Sequence, residues 1–154
     1  MRLLILSIFT LSVNSALASD PLNGAIESAS SAMRAQSERM KIIAQNIANE
    51  DSTALTPGGE PYRRKTIIFK ARKDPRTNTY KIVTKEGKDK KKPFRKIYAP
   101  NHPAADAQGY VLYSNVSKTI ESADAKEAAR SYEGNLSVIE ITRSIMNKTV
   151  DILR

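Results

Sequence analysis

Apolar residues recur at helical spacing near both ends of the chain, and the stretch between them breaks that rhythm. Leu22, Ile26, Ala29, Met33, Gln36, Met40, Ile43 and Ile47 follow one another at spacings of 4, 3, 4, 3, 4, 3 and 4 residues, a heptad stripe with one polar interruption. No proline interrupts Asn23 to Glu50, and the charged Glu27, Arg34, Glu38, Arg39 and Lys41 lie off the stripe. A helix of about 25 residues, roughly 38 Å long, is expected there. Tyr132, Leu136, Ile139, Arg143, Met146, Val150 and Leu153 repeat at 4, 3, 4, 3, 4 and 3, and Val138, Ile141, Ile145 and Ile152 widen the apolar face. This second helix is expected to begin between Ser117 and Ser122. It contains no proline, and Gly134 is its one strong local weakness.

Between the helices the signals are those of turns and short strands. Thr56-Pro57-Gly58-Gly59-Glu60-Pro61 is a break. Tyr62–Phe69, Thr79–Thr84, Phe94–Tyr98 and Gly109–Tyr113 read as strands. Asp74–Asn78 and Glu86–Asp89 read as turns, and Pro100-Asn101-His102-Pro103 excludes regular helix. The fold class expected is α+β: two long terminal α-helices packed as an antiparallel, coiled-coil-like pair, with a small irregular β region between them. The division expected is 1–18, 19–55 (N-terminal helix), 56–116 (basic β-rich middle) and 117–154 (C-terminal helix).

Residues 1–18 read as a secretory signal. Arg2 is followed by the apolar run Leu3–Leu11, and Ala16-Leu17-Ala18 predicts cleavage between Ala18 and Ser19. The run is too short to span a bilayer, which takes about 20 residues. Membrane contact is therefore expected only through this segment.

The formal charge of +9 is unevenly placed. Residues 61–100 hold 15 Lys and Arg against 3 Asp and Glu, a local balance of +12, which leaves the rest of the chain at −3. Such a block marks an acidic partner, an anionic surface or a solvated face.

Enzymatic chemistry finds little support. With no Cys and one His, thiolate zinc sites, Cys nucleophiles and His-rich metal sites are excluded. No carboxylate pair is singled out for acid–base work, no nucleophile elbow or phosphate loop is present, and His102 sits in a proline-flanked turn. No cofactor is expected. Tyr62, Phe69, Tyr80, Phe94 and Tyr98 interleave with Lys and Arg, as in a base-stacking groove, but no nucleic-acid motif accompanies them, and none is expected as a partner.

Three blocks carry a family resemblance. Ala32–Asn49 ends in Asn46-Ile47-Ala48-Asn49 and resembles the N-terminal helix of the flagellar rod and hook axial family. Pro61-Tyr62-Arg63-Arg64-Lys65 with the apolar strand to Phe69, together with Tyr98–Val111 (His102, Pro103, Asp106, Gly109, Tyr110) and Asn115-Val116, is similar to the family's proximal-rod branch. Ala128–Ile139 resembles the family's C-terminal helix, with Ser131 and Gly134 in place of alanines. Members of that family are exported through the flagellum's own type III apparatus, so the signal-like start is a departure.

The resemblance implies a structural subunit of the flagellar basal-body rod, polymerising through its terminal helices into the proximal part of a periplasm-spanning drive shaft. It implies as partners copies of the chain, other rod subunits, and basal-body rings or the export gate. The subunit interface expected comprises Ile26, Met33, Met40, Ile43, Asn46, Ile47 and Asn49 on the first helix. On the second it comprises Tyr132, Leu136, Ile139, Met146, Val150 and Leu153. The rival reading is a periplasmic module that binds a polyanion or the envelope through the basic segment 61–100.

Overall fold

The computed structural model describes residues 21–152; the expected cleavage site at Ala18 and Ser19, and Leu153, lie outside them. Two helices, α1 (Pro21–Ala48) and α2 (Lys118–Ile152), frame four strands: β1 (Lys65–Lys73), β2 (Tyr80–Lys88), β3 (Arg95–Tyr98) and β4 (Tyr110–Tyr113). Asn46, near the end of α1, touches Glu121, near the start of α2, and Arg39, a turn or two back, reaches Asp124. The helices therefore run antiparallel, and the fold is α+β as expected.

Local chemistry sets the helix ends. Pro21 occupies the first position of α1, where a missing N–H costs nothing. Asn49 closes the other end, its amide donating to the Gln45 carbonyl (2.8 Å) while its backbone N–H folds back on Asn46 (3.0 Å). The Glu50 carboxylate then accepts the Lys118 backbone N–H (3.0 Å), one of the donors that α2 leaves unpaired at its start.

The seam of α2 differs in phase from the expectation. The less exposed residues are Glu121, Ala125, Ala128, Tyr132, Asn135, Ile139, Thr142 and Met146, again spaced 4, 3, 4, 3, 4, 3 and 4. Tyr132, Ile139 and Met146 are shared with the expected stripe, whereas Leu136, Arg143 and Val150 face outward. On α1 the buried residues are Ala29, Ser31, Ala35, Ile42, Ile43 and Asn46, a broader set than one stripe, because α1 is covered on two sides.

The second cover is the β1–β2 hairpin, antiparallel from Lys65↔Lys88 to Lys73↔Tyr80. Glu86–Lys88, read from sequence as a turn, is the end of β2. Pairing with Lys65–Ile67 overrides the local signal, and a Cβ at Gly87 would stand a tight 3.0 Å from Thr66 Oγ1, which would have to shift to admit one. The hairpin lies along α1, its base at Asn46 and its tip beside Glu27 and Ser28. The lengths agree: a strand of nine residues spans about 30 Å, and Asn46 back to Ser28 spans about 27 Å. Ser28 Oγ donates to the Tyr80 carbonyl (2.8 Å) and the Ile82 N–H donates to Ser31 Oγ (2.9 Å), so helix serines satisfy the outer edge of β2.

The β3–β4 hairpin forms a separate sheet at the α1–α2 junction, held by a bridge from Thr53 to Tyr113 and by Ser114 N–H to the Ser52 carbonyl (2.9 Å). Its core is small: Ala54, Ala104 and Val111, with Ala99, Ala105 and Tyr113 packed against it.

Candidate assembly interface

The residues singled out from sequence do two different jobs. One group builds a polar junction that fixes the hairpins on the helix pair; the other lies on open surface.

Asn46 is the centre of the junction and is buried. Its Oδ1 accepts from the Tyr62 hydroxyl and the Lys65 backbone N–H, both at 2.9 Å, and its Nδ2 donates to the Lys65 carbonyl (2.9 Å) and to Glu121 Oε2 (3.0 Å). Glu121 is fully buried, and its other oxygen takes the Arg64 Nε–H at 2.5 Å. Arg64 also reaches Asp124 (3.4 Å), and its backbone N–H donates to Asn115 Oδ1 (2.7 Å). Asn115, buried too, uses its amide to hold the carbonyls of Asp89 and Lys92 (3.2 and 3.0 Å). A buried carboxylate is costly unless it is paired and hydrogen-bonded. Here both conditions are met, and the same bonds join α1, the segment before β1, the segment after β2 and α2.

Burial raises the Tyr62 phenol above its ordinary pKa, and the charges of Glu121 and Glu86 push the same way. Arg63 turns outward from the junction and stacks over the Phe94 ring at 4.0 Å, with Glu60 at 3.5 Å. Phe69 stays partly exposed beside Ile67, lining a cleft over Ile42 and Ile43.

The His102–Tyr110 block builds the connection between β3 and β4. Asp106 Oδ1 accepts the backbone N–H groups of Tyr110 (2.8 Å) and Gln108 (3.0 Å), and these, with Lys96 nearby, hold its carboxyl below the usual carboxylate range; the Tyr110 bond is the largest cause. Gly109 sits at φ 81°, and a Cβ there would come within 2.9 Å of the Tyr98 ring. Tyr98 and Tyr110 meet edge to face at 5.3 Å. His102 Nδ1 accepts the Ala104 N–H (3.1 Å) as a turn residue, and Pro103 is exposed beside it. Among the described residues no cluster of His, Cys, Asp or Glu has metal-binding geometry, and no helix is long and apolar enough to cross a membrane.

Of the expected interface residues, Ile43, Asn46 and Ile139 are buried within the single chain. Ile26, Met33, Met40, Ile47, Asn49, Tyr132 and Met146 are half-buried, and Leu136 and Val150 are exposed. Beyond these, α2 leaves Val138, Ile141, Ile145 and Ile152 open to solvent on one face, spaced 3, 4 and 7 residues apart. Glu121 and Asn115 were not recognised from sequence as junction residues; Asn115 lay in a family block, while Glu121 carried no signal beyond its place in the first turn of α2.

Among the described residues, then, two terminal helices fold back on each other around small sheets and leave an aliphatic face of α2 open. Residues 26–54 match the family described as flagella basal body rod protein. The chain is 42% identical to the flagellar basal-body rod protein FlgC of Agrobacterium fabrum over 135 residues, which cover 88% of this chain and 97% of that relative. It is 39% identical to the FlgC of Yersinia enterocolitica and 36% identical to that of Salmonella typhimurium, each over 124 residues, 80% of this chain and 92% of the relative. The chain belongs to the FlgC family of flagellar basal-body rod proteins.

Proposed function

We propose that this rod subunit polymerises through its terminal helices into the proximal part of the shaft that crosses the periplasm. Its partners on this reading are copies of itself and other rod subunits, with basal-body rings or the export gate at the ends of the assembly. The observation that carries the reading is the aliphatic face of α2. Val138 is 44% exposed, Ile141 61%, Ile145 46% and Ile152 84%, after α1 has already covered the α2 seam. Burying what remains of these four side chains is worth roughly 4 kcal/mol per copy before the cost of orienting the subunits. A heterologous contact, in which this face meets a different surface of the next copy, generates a filament rather than a closed pair.

The test is Ile141→Asp with Ile145→Asp, expressed in cells lacking the wild-type gene. Both sites are exposed, so the chain folds, as circular dichroism of the purified variant checks. Motility and rods in imaged basal bodies are expected to be lost; normal rods would sink the reading.

A second reading keeps the same fold but gives the basic segment an anionic polymer or envelope surface as its ligand. It is favoured by a cleft of about 460 Å³ lined by Tyr62, Arg63, Lys65, Lys88 and Lys90, with Glu60 as its single carboxylate. Retention on anionic vesicles or a polyanion column at low salt, lost in Lys88→Glu with Lys90→Glu, supports it.

A further inference from the structure

The strand register gives the β1–β2 hairpin two unlike faces. Ile67, Phe69 and Ile82 lie on one, and Ile67 and Phe69 line the cleft over α1. The opposite face pairs Ile68 with Lys85, Lys70 with Val83 and Arg72 with Lys81. Two exposed aliphatics, Ile68 (52%) and Val83 (41%), thus sit diagonally among cations. Lys81 is neutralised by Asp74 (2.7 Å) and Glu27 (3.4 Å), whereas Lys70, Arg72 and Lys85 pair with no carboxylate among the described residues.

The open face of α2 has the complementary arrangement. At about 100° per residue, Glu133, Glu140 and Asp151 fall together about a third of a turn round the helix from the Val138–Ile141–Ile145–Ile152 stripe. None of the three pairs with a cation among the described residues. Lys148 is the one cation close to the stripe's C-terminal end. Within one chain the hairpin packs on α1 and not on α2, so it does not cover this stripe.

We propose that the outer face of the β1–β2 hairpin of one copy covers the aliphatic stripe of α2 of the next, Ile68 and Val83 against Val138–Ile145, with Lys70, Arg72 and Lys85 meeting Glu133 and Glu140. A second copy accounts for both halves of the pattern: a polyanion would take the cations and leave Ile68 and Val83 in water. The concentration of cations in residues 61–100, a local balance of +12, favours such a contact with the Glu133–Glu140 side of α2. This proposal rests on assembly through α2 and adds what covers it.

The test uses two charge-reversed full-length chains, Lys70→Glu with Lys85→Glu, and Glu133→Lys with Glu140→Lys, followed by sedimentation velocity at low salt. All four sites are exposed. Each variant alone is expected to self-associate about tenfold more weakly than wild type. An equimolar mixture restores association, because the acidic hairpin of the first variant meets the basic helix of the second and the basic hairpin of the second meets the acidic helix of the first; all four changes in one chain restore it too. Wild-type association by either variant alone, or a mixture no better than its parts, overturns the hairpin contact. If Ile141→Asp still abolishes association in that case, assembly through α2 stands and another surface covers the stripe; if Ile141→Asp changes nothing, both readings fall.

Discussion

The two asparagines of the Asn46-Ile47-Ala48-Asn49 stretch are equivalent on paper and very unequal in the structure. Replacing Asn46 by Ala removes four hydrogen bonds at 2.9–3.0 Å, one of them to the buried Glu121 carboxylate. At about 1 kcal/mol net per bond, and somewhat more for the charged one, the loss is about 4–5 kcal/mol. That is a large fraction of the 5–15 kcal/mol typical of a domain. Asn49 gives up only a bond to the Gln45 carbonyl and a long one from Ser52 (2.8 and 3.3 Å), both near solvent, so Asn49→Ala is expected to cost about 1 kcal/mol. Urea unfolding at neutral pH reads both. With a slope of about 1.5 kcal/mol/M the midpoint of Asn46→Ala falls by about 3 M and that of Asn49→Ala by less than about 1 M. Asn46→Asp separates lost polar bonds from a lost side-chain volume. It is nearly isosteric, keeps the two acceptor roles, and sets a carboxylate where the amide met Glu121 and the Lys65 carbonyl. It should be at least as damaging as Ala at pH 7. An Asn46→Asp chain within 1 kcal/mol of wild type, or equal costs at the two asparagines, would refute the junction as the structure's anchor.

Gly134→Ala adds a Cβ that meets nothing within 4 Å in the helix interior of α2, so the isolated chain should gain about 0.5–1 kcal/mol, seen as a higher thermal midpoint. Gly109→Ala meets both a positive φ and the Tyr98 ring, and should lower the midpoint while leaving the helical circular dichroism signal in place below it. Asp74 and Asp106 both have lowered pKa values, Asp74 chiefly through its bond from Lys81 and Asp106 through the Tyr110 N–H. Their contribution is therefore present above the unfolded value of about 4 and lost as pH falls through the lower folded values. Acid titration followed by tyrosine fluorescence should show Asp106→Asn with a shallower stability slope below about pH 4 than wild type, and an unchanged slope would argue against the Asp106 turn.

The helices and strands β3 and β4 were readable nearly to their ends because their signals are local, whereas β1 starts three residues later than read and runs four residues past Phe69 by pairing with β2. Proline-free heptads, and β-branched runs bounded by Pro, Gly and Asn, need no tertiary knowledge. The end of β2 was not readable, since Glu86-Gly87-Lys88 has the composition of a turn and becomes strand only by pairing with Lys65–Ile67. The intrachain seam of α2 departs from the expected stripe for a more informative reason. Hydrophobic periodicity reports every surface that a chain buries, whether in itself or against others. Within α2 the intrachain seam accepts Glu121, Asn135 and Thr142, while Val138, Ile141, Ile145 and Val150 stay outside it. The sequence pattern merged these sets into one face. The junction was half legible: Asn46, Tyr62, Arg64 and Asn115 all lie in the family blocks, but nothing in one dimension says that four separated segments converge on Glu121.

That convergence bears on how a hairpin with so little core of its own keeps its place. Ile68, Phe69, Tyr80 and Val83 are all at least a third exposed, so apolar burial does little to fix the β1–β2 pair on α1. Apolar contacts are also non-directional and tolerate sliding. The anchors that remain are directional: the Asn46 amide at the base, Ser31 in the middle, and Ser28 with Lys81–Glu27 at the tip. Three attachments along about 27 Å of helix fix both distance and rotation, and the deepest of them includes a carboxylate that tolerates burial only while its partners stay in register. A one-residue slip of β1 would turn Ile68 and Lys70 to the other face and draw Arg64 away from Glu121, leaving a buried carboxylate without its cation. The sequence thus places its most expensive buried charge where an error in hairpin position costs most, and the strands can remain thin, basic and exposed without losing their orientation on the helix pair.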